Sequence, residues 1–230
     1  MSLDLQHSNS TDEEEGPGSP EGITEFHVAH VDGSSGSEAS EEEAEDPGQE
    51  QEDNEVLFMN EGIDDSDGKL VYLYWCDKLK LPPVSQVLKY LNGTSVNVNH
   101  YLLSENGLRA LAYALRVNSS VVSVELGDNN LSDSALTAFF NILSGNSVIQ
   151  HINLSGNRLG SSGCQALARF LEGKECQLKT LLLSKNRLTD RHIKRLIEAF
   201  GVNETLECVD LSRNQLTGKT AGTNPAQCRK

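Results

Sequence analysis

The chain has 230 residues and a formal net charge of -15, but the charge is unevenly distributed. Residues 1–68 contain 22 of the 34 acidic residues and no Lys or Arg, so residues 69–230 keep 12 acidic and all 19 basic residues, a net charge of +7. This asymmetry predicts an acidic tail attached to a separate folded body.

The five cysteines include no C-x-x-C pair, which argues against a disulfide framework or a zinc site. Without a signal-peptide pattern or an 18-residue apolar run, a cytoplasmic or nuclear protein is predicted, with no membrane span.

Residues 1–66 are predicted to form a disordered tail. Glu, Asp, Ser and Gly predominate there, and the few large apolar residues cannot bury enough surface to offset chain entropy. Two short apolar islands, at residues 23–28 and 56–59, are either docking motifs or stray apolar residues. Ser37 and Ser40 lie in the acidic run SEASEEEAED, which predicts phosphorylation by acidophilic kinases.

Residues 67–92 are predicted to form a helical N-terminal cap. The apolar residues between Leu70 and Leu79, including Leu73, Tyr74 and Trp75, fit one face of a helix. Pro82-Pro83 ends this helix because proline does not continue a helix interior. A second short helix follows, with Val84, Val87, Leu88 and Leu91 at helical spacing.

Residues 93–217 consist of repeats. Four segments fit the pattern L-x-x-L-x-L-x-x-N-x-L, and they begin at Val121, Ile149, Leu178 and Leu206, 28, 29 and 28 residues apart. A fixed period of this kind is the signature of a repeat architecture. A degenerate copy lies one period earlier and has Tyr101 in place of the asparagine. Three full units follow it, and the last unit is incomplete.

Each repeat is predicted to contain a short strand, a turn and a helix. The alternating apolar residues form the inward side of the strand, and the later apolar residues have the 3–4 spacing of a helix buried on one face. The turn asparagines are expected to satisfy backbone groups of neighbouring turns; they are Asn129, Asn157, Asn186 and Asn214. The predicted fold is α/β, a right-handed curved leucine-rich-repeat solenoid with parallel strands inside and helices outside. It carries a helical N-terminal cap and a long disordered N-terminal tail.

The period and the helical half of each unit resemble the ribonuclease-inhibitor-like class of leucine-rich repeats. Asparagine in place of cysteine in the turn resembles the intracellular members of that class. The lead-in at residues 72–91, with Cys76 and Pro82-Pro83, is similar to that of the leucine-rich-repeat-containing protein 74 family. Members of this type continue with further repeats, whereas Gly218–Lys230 contains no helical pattern. The resemblance therefore implies a C-terminally truncated chain, either a splice variant or a fragment.

No catalytic, cofactor or metal pattern is present, so the chain is not predicted to be an enzyme. Gly218-Lys219-Thr220 imitates the end of a Walker A loop, but Arg213 stands where its first glycine is required. The basic residues of the body lack interleaved aromatic residues, which argues against nucleic acid as the partner. A further interpretation is that the acidic tail folds back on this basic body at low salt.

The outward strand positions are predicted to line the concave face of the sheet, an extended surface that suits a protein partner. The residues predicted to bind are Glu125, Asp128, His151, Asn153, Leu182, Lys185, Asp210 and Arg213. Acids at one end and cations at the other suit a dipolar peptide or helix, although a merely solvated face explains the same pattern.

The predicted function is an intracellular interaction scaffold. Two alternatives remain. One is a regulatory protein, since the repeats resemble those of the GTPase-activating protein of the nuclear-transport GTPase. The other is a truncated isoform without independent function.

Overall fold

A computed structural model of the chain describes residues 65–217. Helices and three-residue strands alternate there, and the strands form one parallel sheet in the order β1-β2-β3-β4-β5. The strands are β1 (Ser95–Asn97), β2 (Ser123–Glu125), β3 (His151–Asn153), β4 (Thr180–Leu182) and β5 (Cys208–Asp210). The helices are α1 (Lys69–Lys78), α2 (Ser85–Leu91), α3 (Glu105–Val117), α4 (Asp133–Ile142), α5 (Ser161–Glu172) and α6 (Asp190–Val202).

The strands pair in the register that the repeat predicts. The central residues of neighbouring strands lie side by side: Val96, Val124, Ile152, Leu181 and Val209. Each central residue is buried, and from β2 to β5 the two flanking residues are partly exposed. The hydrophobic core therefore lies between one face of the sheet and the helices, and the opposite face of the sheet, here called the strand face, is open. The predicted α/β leucine-rich-repeat fold is confirmed over these residues.

The helices between the strands bury the apolar positions predicted for them. Leu108, Leu111 and Leu115 of α3 are fully buried. The helix begins at Ser104, whose side chain accepts a hydrogen bond of 3.0 Å from the Gly107 amide. Each helix from α3 to α6 packs against the next in chain order, so neighbouring repeats share one continuous core.

The predicted buried face of α1 was wrong in part. The helix buries Val71, Tyr72, Trp75 and Cys76, whereas the side chains of Leu70 and Leu73 are 45% and 39% exposed. The indole of Trp75 stacks on the ring of Tyr113 in α3, with ring centroids 3.9 Å apart and planes 7° apart. Aromatic rings bury more area than leucine side chains, so the face that carries Tyr72 and Trp75 is the one turned to the core.

The N-terminal cap includes two residues that the sequence assigned to the tail. The carboxylate of Asp65 is buried and accepts hydrogen bonds from the amides of Leu70 (3.1 Å) and Val71 (2.9 Å), at the first turn of α1. The carbonyl of Ser66 accepts a hydrogen bond of 3.0 Å from the amide of Ser119. The predicted disorder of the tail, its apolar islands, Ser37, Ser40 and residues 218–230 lie outside the described residues. Among the helices of residues 65–217, none has the length and apolar character needed to cross a bilayer.

Candidate protein-binding face

A column of asparagines closes the turn after each strand. The Nδ2 of Asn157 donates to the carbonyl of Leu126 in the preceding repeat and to the carbonyl of Leu154 in its own turn, both at 3.0 Å. Its Oδ1 accepts a hydrogen bond of 3.0 Å from the amide of Leu131. The same arrangement recurs at Asn129, Asn186 and Asn214. These bonds join each turn to the turn of the preceding repeat. They therefore fix the ends of the strands and the side chains that project beyond them.

A second column of asparagines, which the repeat pattern did not reveal, lies before the strands. The Nδ2 of Asn118 donates to the carbonyl of Leu91 (3.0 Å), and its Oδ1 accepts from the amide of Val121 (2.7 Å). Asn146 and Asn203 make the corresponding bonds in the third and fifth units. Each of these asparagines stands three residues before the start of its repeat unit. That regularity was visible in the sequence, but the 29-residue unit that begins at Ile149 interrupts it.

Asp133 caps a helix of the following repeat. Its Oδ1 accepts hydrogen bonds of 2.7 Å from the amides of Gly160 and Gly163, and its Oδ2 accepts one of 3.1 Å from the amide of Ser162. These amides lie at the start of α5, where the N-cap Gly160 has no side chain to serve as a cap. A β-carbon added to Gly160 or Gly163 would lie 2.8 or 2.6 Å from atoms of the Asp133 carboxylate. The two glycines therefore provide the space that this carboxylate occupies.

Asp133→Ala is expected to lower the free energy of unfolding by about 2 kcal/mol, because it removes three charge-assisted bonds to the start of a helix. The measurement is the urea midpoint. Asp77→Ala is the matched control, since the Asp77 side chain is 86% exposed and pairs only with Lys80 among the described residues. We expect a change within about 0.5 kcal/mol there. Equal losses in the two variants would contradict the assigned role of Asp133.

Three of the predicted binding residues contact one another on the strand face. The Oε1 of Glu125 lies 2.8 Å from the Nε2 of His151, and its Oε2 accepts a bond of 2.7 Å from the Nδ2 of Asn153. Asn99 reaches the same Oε2 at 3.4 Å. All four residues are partly exposed. The repeat pattern predicted that these residues share one face. It did not predict their hydrogen bonds, because these depend on the conformations of side chains on neighbouring strands.

The turn residues of the face adopt an unusual backbone conformation. His100, Asp128, Lys185 and Arg213 occupy the same place in successive repeats, and their φ angles lie between 53° and 62°. Gly156 takes that place in the third unit, with a φ of 71°. The backbone is held there by inter-turn bonds such as Lys185 N–H to the Ser212 carbonyl (3.2 Å). The predicted cations therefore project from turns with a defined geometry.

The strand face divides into two halves. In the first half, Glu125, His151 and Asn153 bond to one another, and the exposed Asp128 lies 3.7 Å from the ring of His100. In the second half, Leu182 is partly exposed and is in register with Asn153 on one side and Asp210 on the other. Lys185 and Arg213 are exposed on the turns beyond these strands, and the Asp210 carboxylate accepts a bond of 2.8 Å from the Ser212 amide.

The cysteines of the core are poor nucleophiles. Cys76, Cys164 and Cys176 are free and buried. Burial raises the pKa of all three thiols, and for Cys164 burial and the nearby charge of Asp133 raise the pKa to about 12. Because the thiolate is the reactive form, burial makes these thiols less nucleophilic than exposed ones. No group of His, Cys, Asp and Glu within residues 65–217 is arranged to hold a metal ion.

Comparison with known proteins identifies the repeats. The family model described as Leucine Rich repeat matches residues 117–140, 145–168 and 202–219. Each match begins near the end of one helix and continues through the following strand. A solved structure titled "Leiomodin-1 Actin-Binding Site 2" is similar, with a TM-score of 0.49 and 23% sequence identity over 56% of this chain and 73% of that chain. The chain thus carries leucine-rich repeats.

Proposed function

We propose that residues 93–217 form a protein–protein interaction module that binds its partner across the strand face. The observation that carries the proposal is the second half of this face, where a partly exposed Leu182 lies between polar strands and is flanked by the exposed Lys185 and Arg213. An apolar anchor with charged neighbours is a common arrangement at protein interfaces. The module is proposed to act as a non-enzymatic intracellular scaffold, in the cytoplasm or nucleus, with another protein as its partner.

The rigidity of the face supports this proposal. The first column of asparagines bonds each turn to the one before it, and the second column makes bonds to the preceding repeat before strands β2, β3 and β5. The hydrogen bonds of Glu125 to His151 and Asn153 hold the first half in one arrangement. A surface that is ordered before binding loses less conformational entropy when a partner arrives.

The chemistry of the face defines the kind of partner. Lys185 and Arg213 suit carboxylates on the partner, and Leu182 suits an apolar side chain between them. Asp128 lies toward the other end of the sheet and is exposed, so it suits a basic group. An extended segment or helix with an acidic end, a central apolar residue and a basic end satisfies all three requirements.

The test identifies a partner by photo-crosslinking in cells and then measures its affinity. A photoreactive amino acid at position 182 is compared with one at Gln165, which is exposed on α5. For a protein captured only from position 182, Leu182→Asp is expected to weaken binding at least about tenfold, equivalent to 1.4 kcal/mol. Gln165→Asp should leave the affinity unchanged. Equal capture at both positions, or an affinity that does not respond to Leu182→Asp, contradicts binding on the strand face.

We also infer that the repeats are of the ribonuclease-inhibitor-like class. A unit of 28 or 29 residues with a helix of 10 to 13 residues in each of α3 to α6 supports this assignment. The lead-in at residues 72–91 supports the likeness to the leucine-rich-repeat-containing protein 74 family. It contributes the end of α1 and all of α2 to the cap.

A further inference from the structure

Four exposed cations follow the carboxyl ends of strands β3 to β5. They are Arg158, Lys185, Arg187 and Arg213, and together they are called the basic ridge. Three of them, Lys185, Arg187 and Arg213, have φ angles of 57°, 61° and 55°. Within residues 65–217, no ion pair includes a side chain of the basic ridge.

The turns place these cations close together. The amide of Gly156 bonds to the carbonyl of Ser184 (2.9 Å), and the amide of Lys185 bonds to the carbonyl of Ser212 (3.2 Å), so the three turns are neighbours. Neighbouring strands lie about 4.8 Å apart, so the ridge spans about 10 Å along the sheet. The nearby carboxylates of Asp190 and Asp210 accept backbone bonds from Thr217 (3.0 Å) and Ser212 (2.8 Å). The ridge therefore presents an excess of positive charge.

The chain carries a complementary segment outside the described residues. Residues 45–55 contain six acidic residues and no Lys or Arg. They lie 10 to 20 residues before Asp65, whose carboxylate is bonded to the start of α1. At up to about 3.3 Å per residue, these residues reach about 33 to 66 Å from that anchor. The ridge lies two to four repeats beyond β1, about 10 to 19 Å, and about one helix length of 20 Å across, so roughly 30 to 40 Å in all. Glu55 therefore reaches only its near end, after β3, whereas the earlier residues of the segment reach all of it.

We propose that residues 45–55 dock on the basic ridge of the same chain. Because the segment is tethered, its effective concentration at the ridge is on the order of millimolar, so even weak charge contacts populate the docked state. Lys185 and Arg213 belong both to the ridge and to the strand face. The docked segment therefore competes with any acidic partner for these two cations. The docking itself does not rest on the proposed function, since it requires no partner.

The first experiment records backbone amide spectra of the full chain by NMR. It compares the natural sequence with a variant in which Glu45, Asp46, Glu50, Glu52, Asp53 and Glu55 are changed to the corresponding amides. At 10 mM NaCl, where the Debye length is about 30 Å, we expect differences at residues 156–158, 184–187 and 212–214. At 1 M NaCl, where it is about 3 Å, they should vanish. Identical spectra at low salt overturn the proposal.

A matched control removes the same charge elsewhere. Neutralising Asp12, Glu13, Glu14, Glu15, Glu21 and Glu25 should leave the ridge amides as in the natural chain. Equal changes in the two variants would mean that any acidic stretch acts on the ridge, which overturns the assignment to residues 45–55. If the amide signals of the ridge are the same in both variants but shift when duplex DNA is added, the ridge is a nucleic-acid-binding surface. That result would also overturn the proposal.

The second experiment changes the ridge. Arg158→Gln, Lys185→Gln, Arg187→Gln and Arg213→Gln together should abolish the salt-dependent shifts of amides 45–55. A control with Lys89, Lys174, Lys179 and Lys194 changed to Gln, all exposed and outside the ridge, should retain them. Shifts that persist in the ridge variant would place the segment on another surface and overturn the proposal.

Discussion

Replacing Asn157 with alanine is expected to lower the free energy of unfolding by about 3 kcal/mol. The side chain is buried, and the substitution leaves the amide of Leu131 without its partner. It also removes one of the two asparagine donors to each of the carbonyls of Leu126 and Leu154, which keep their bonds from Asn129 and Asn186. A buried backbone group without a hydrogen bond costs about 1–3 kcal/mol, and each lost bond to a carbonyl that keeps another donor adds about 0.5–1.5 kcal/mol; relaxation of the turn offsets part of this sum. Urea unfolding followed by circular dichroism measures the loss.

Two further variants separate the hydrogen bonds from the volume of the side chain. Asn157→Asp keeps the shape but replaces the donating amide with a carboxylate opposite two carbonyls, so we expect a loss at least as large as that of alanine. Asn106→Ala is the control, because Asn106 is exposed on α3 and its change should stay within about 0.5 kcal/mol. A midpoint for Asn157→Ala that equals that of the natural chain would contradict the bonds assigned to this column.

The parts of the fold that repeat at a fixed position could be predicted from the sequence. Val124 and Leu126 alternate as a strand requires, and the helix of each unit shows apolar 3–4 spacing. Each unit contains one strand followed by one helix, and the fixed period places the strands of successive units side by side. The parallel order β1 to β5 therefore follows from the sequence. Position in the unit also placed Leu182 and Lys185 on the strand face and its adjoining turn.

Contacts between different repeats could not be predicted in the same way. The bonds of Glu125 to His151 and Asn153 depend on rotamers of residues 26 and 28 positions apart. The carboxylate of Asp133 looks like an ordinary first-turn acid of α4, and only the positions of Gly160 and Gly163 show that it caps α5. Likewise, the apolar residues of α1 allow more than one buried face, and the stacking of Trp75 on a ring 38 positions later decides between them.

Gly68→Ala is expected to lower the free energy of unfolding by about 2–5 kcal/mol, which is the largest effect predicted here. Gly68 precedes α1 with a φ of 71°, a conformation that costs other L-residues about 1–2 kcal/mol. A β-carbon at this position would also overlap the carbonyl oxygen of Ala114 and lie 3.0 Å from its carbonyl carbon. Because both atoms are backbone of α3, the overlap is relieved only if α1 moves, and overpacking of this kind costs about a further 1–3 kcal/mol.

Gly145→Ala separates the two contributions to this loss. Gly145 has a φ of 84°, but a β-carbon there meets nothing within 4 Å, so we expect only the conformational part, about 1–2 kcal/mol. The fluorescence of Trp75, the single tryptophan, reports the docking of α1 because its ring stacks on Tyr113 in α3. Displacement of α1 should shift this emission to longer wavelength in Gly68→Ala and leave it unchanged in Gly145→Ala. Equal losses of stability with identical emission would show that Ala114 tolerates the added carbon, and the close packing of the cap on α3 would then not depend on glycine at position 68.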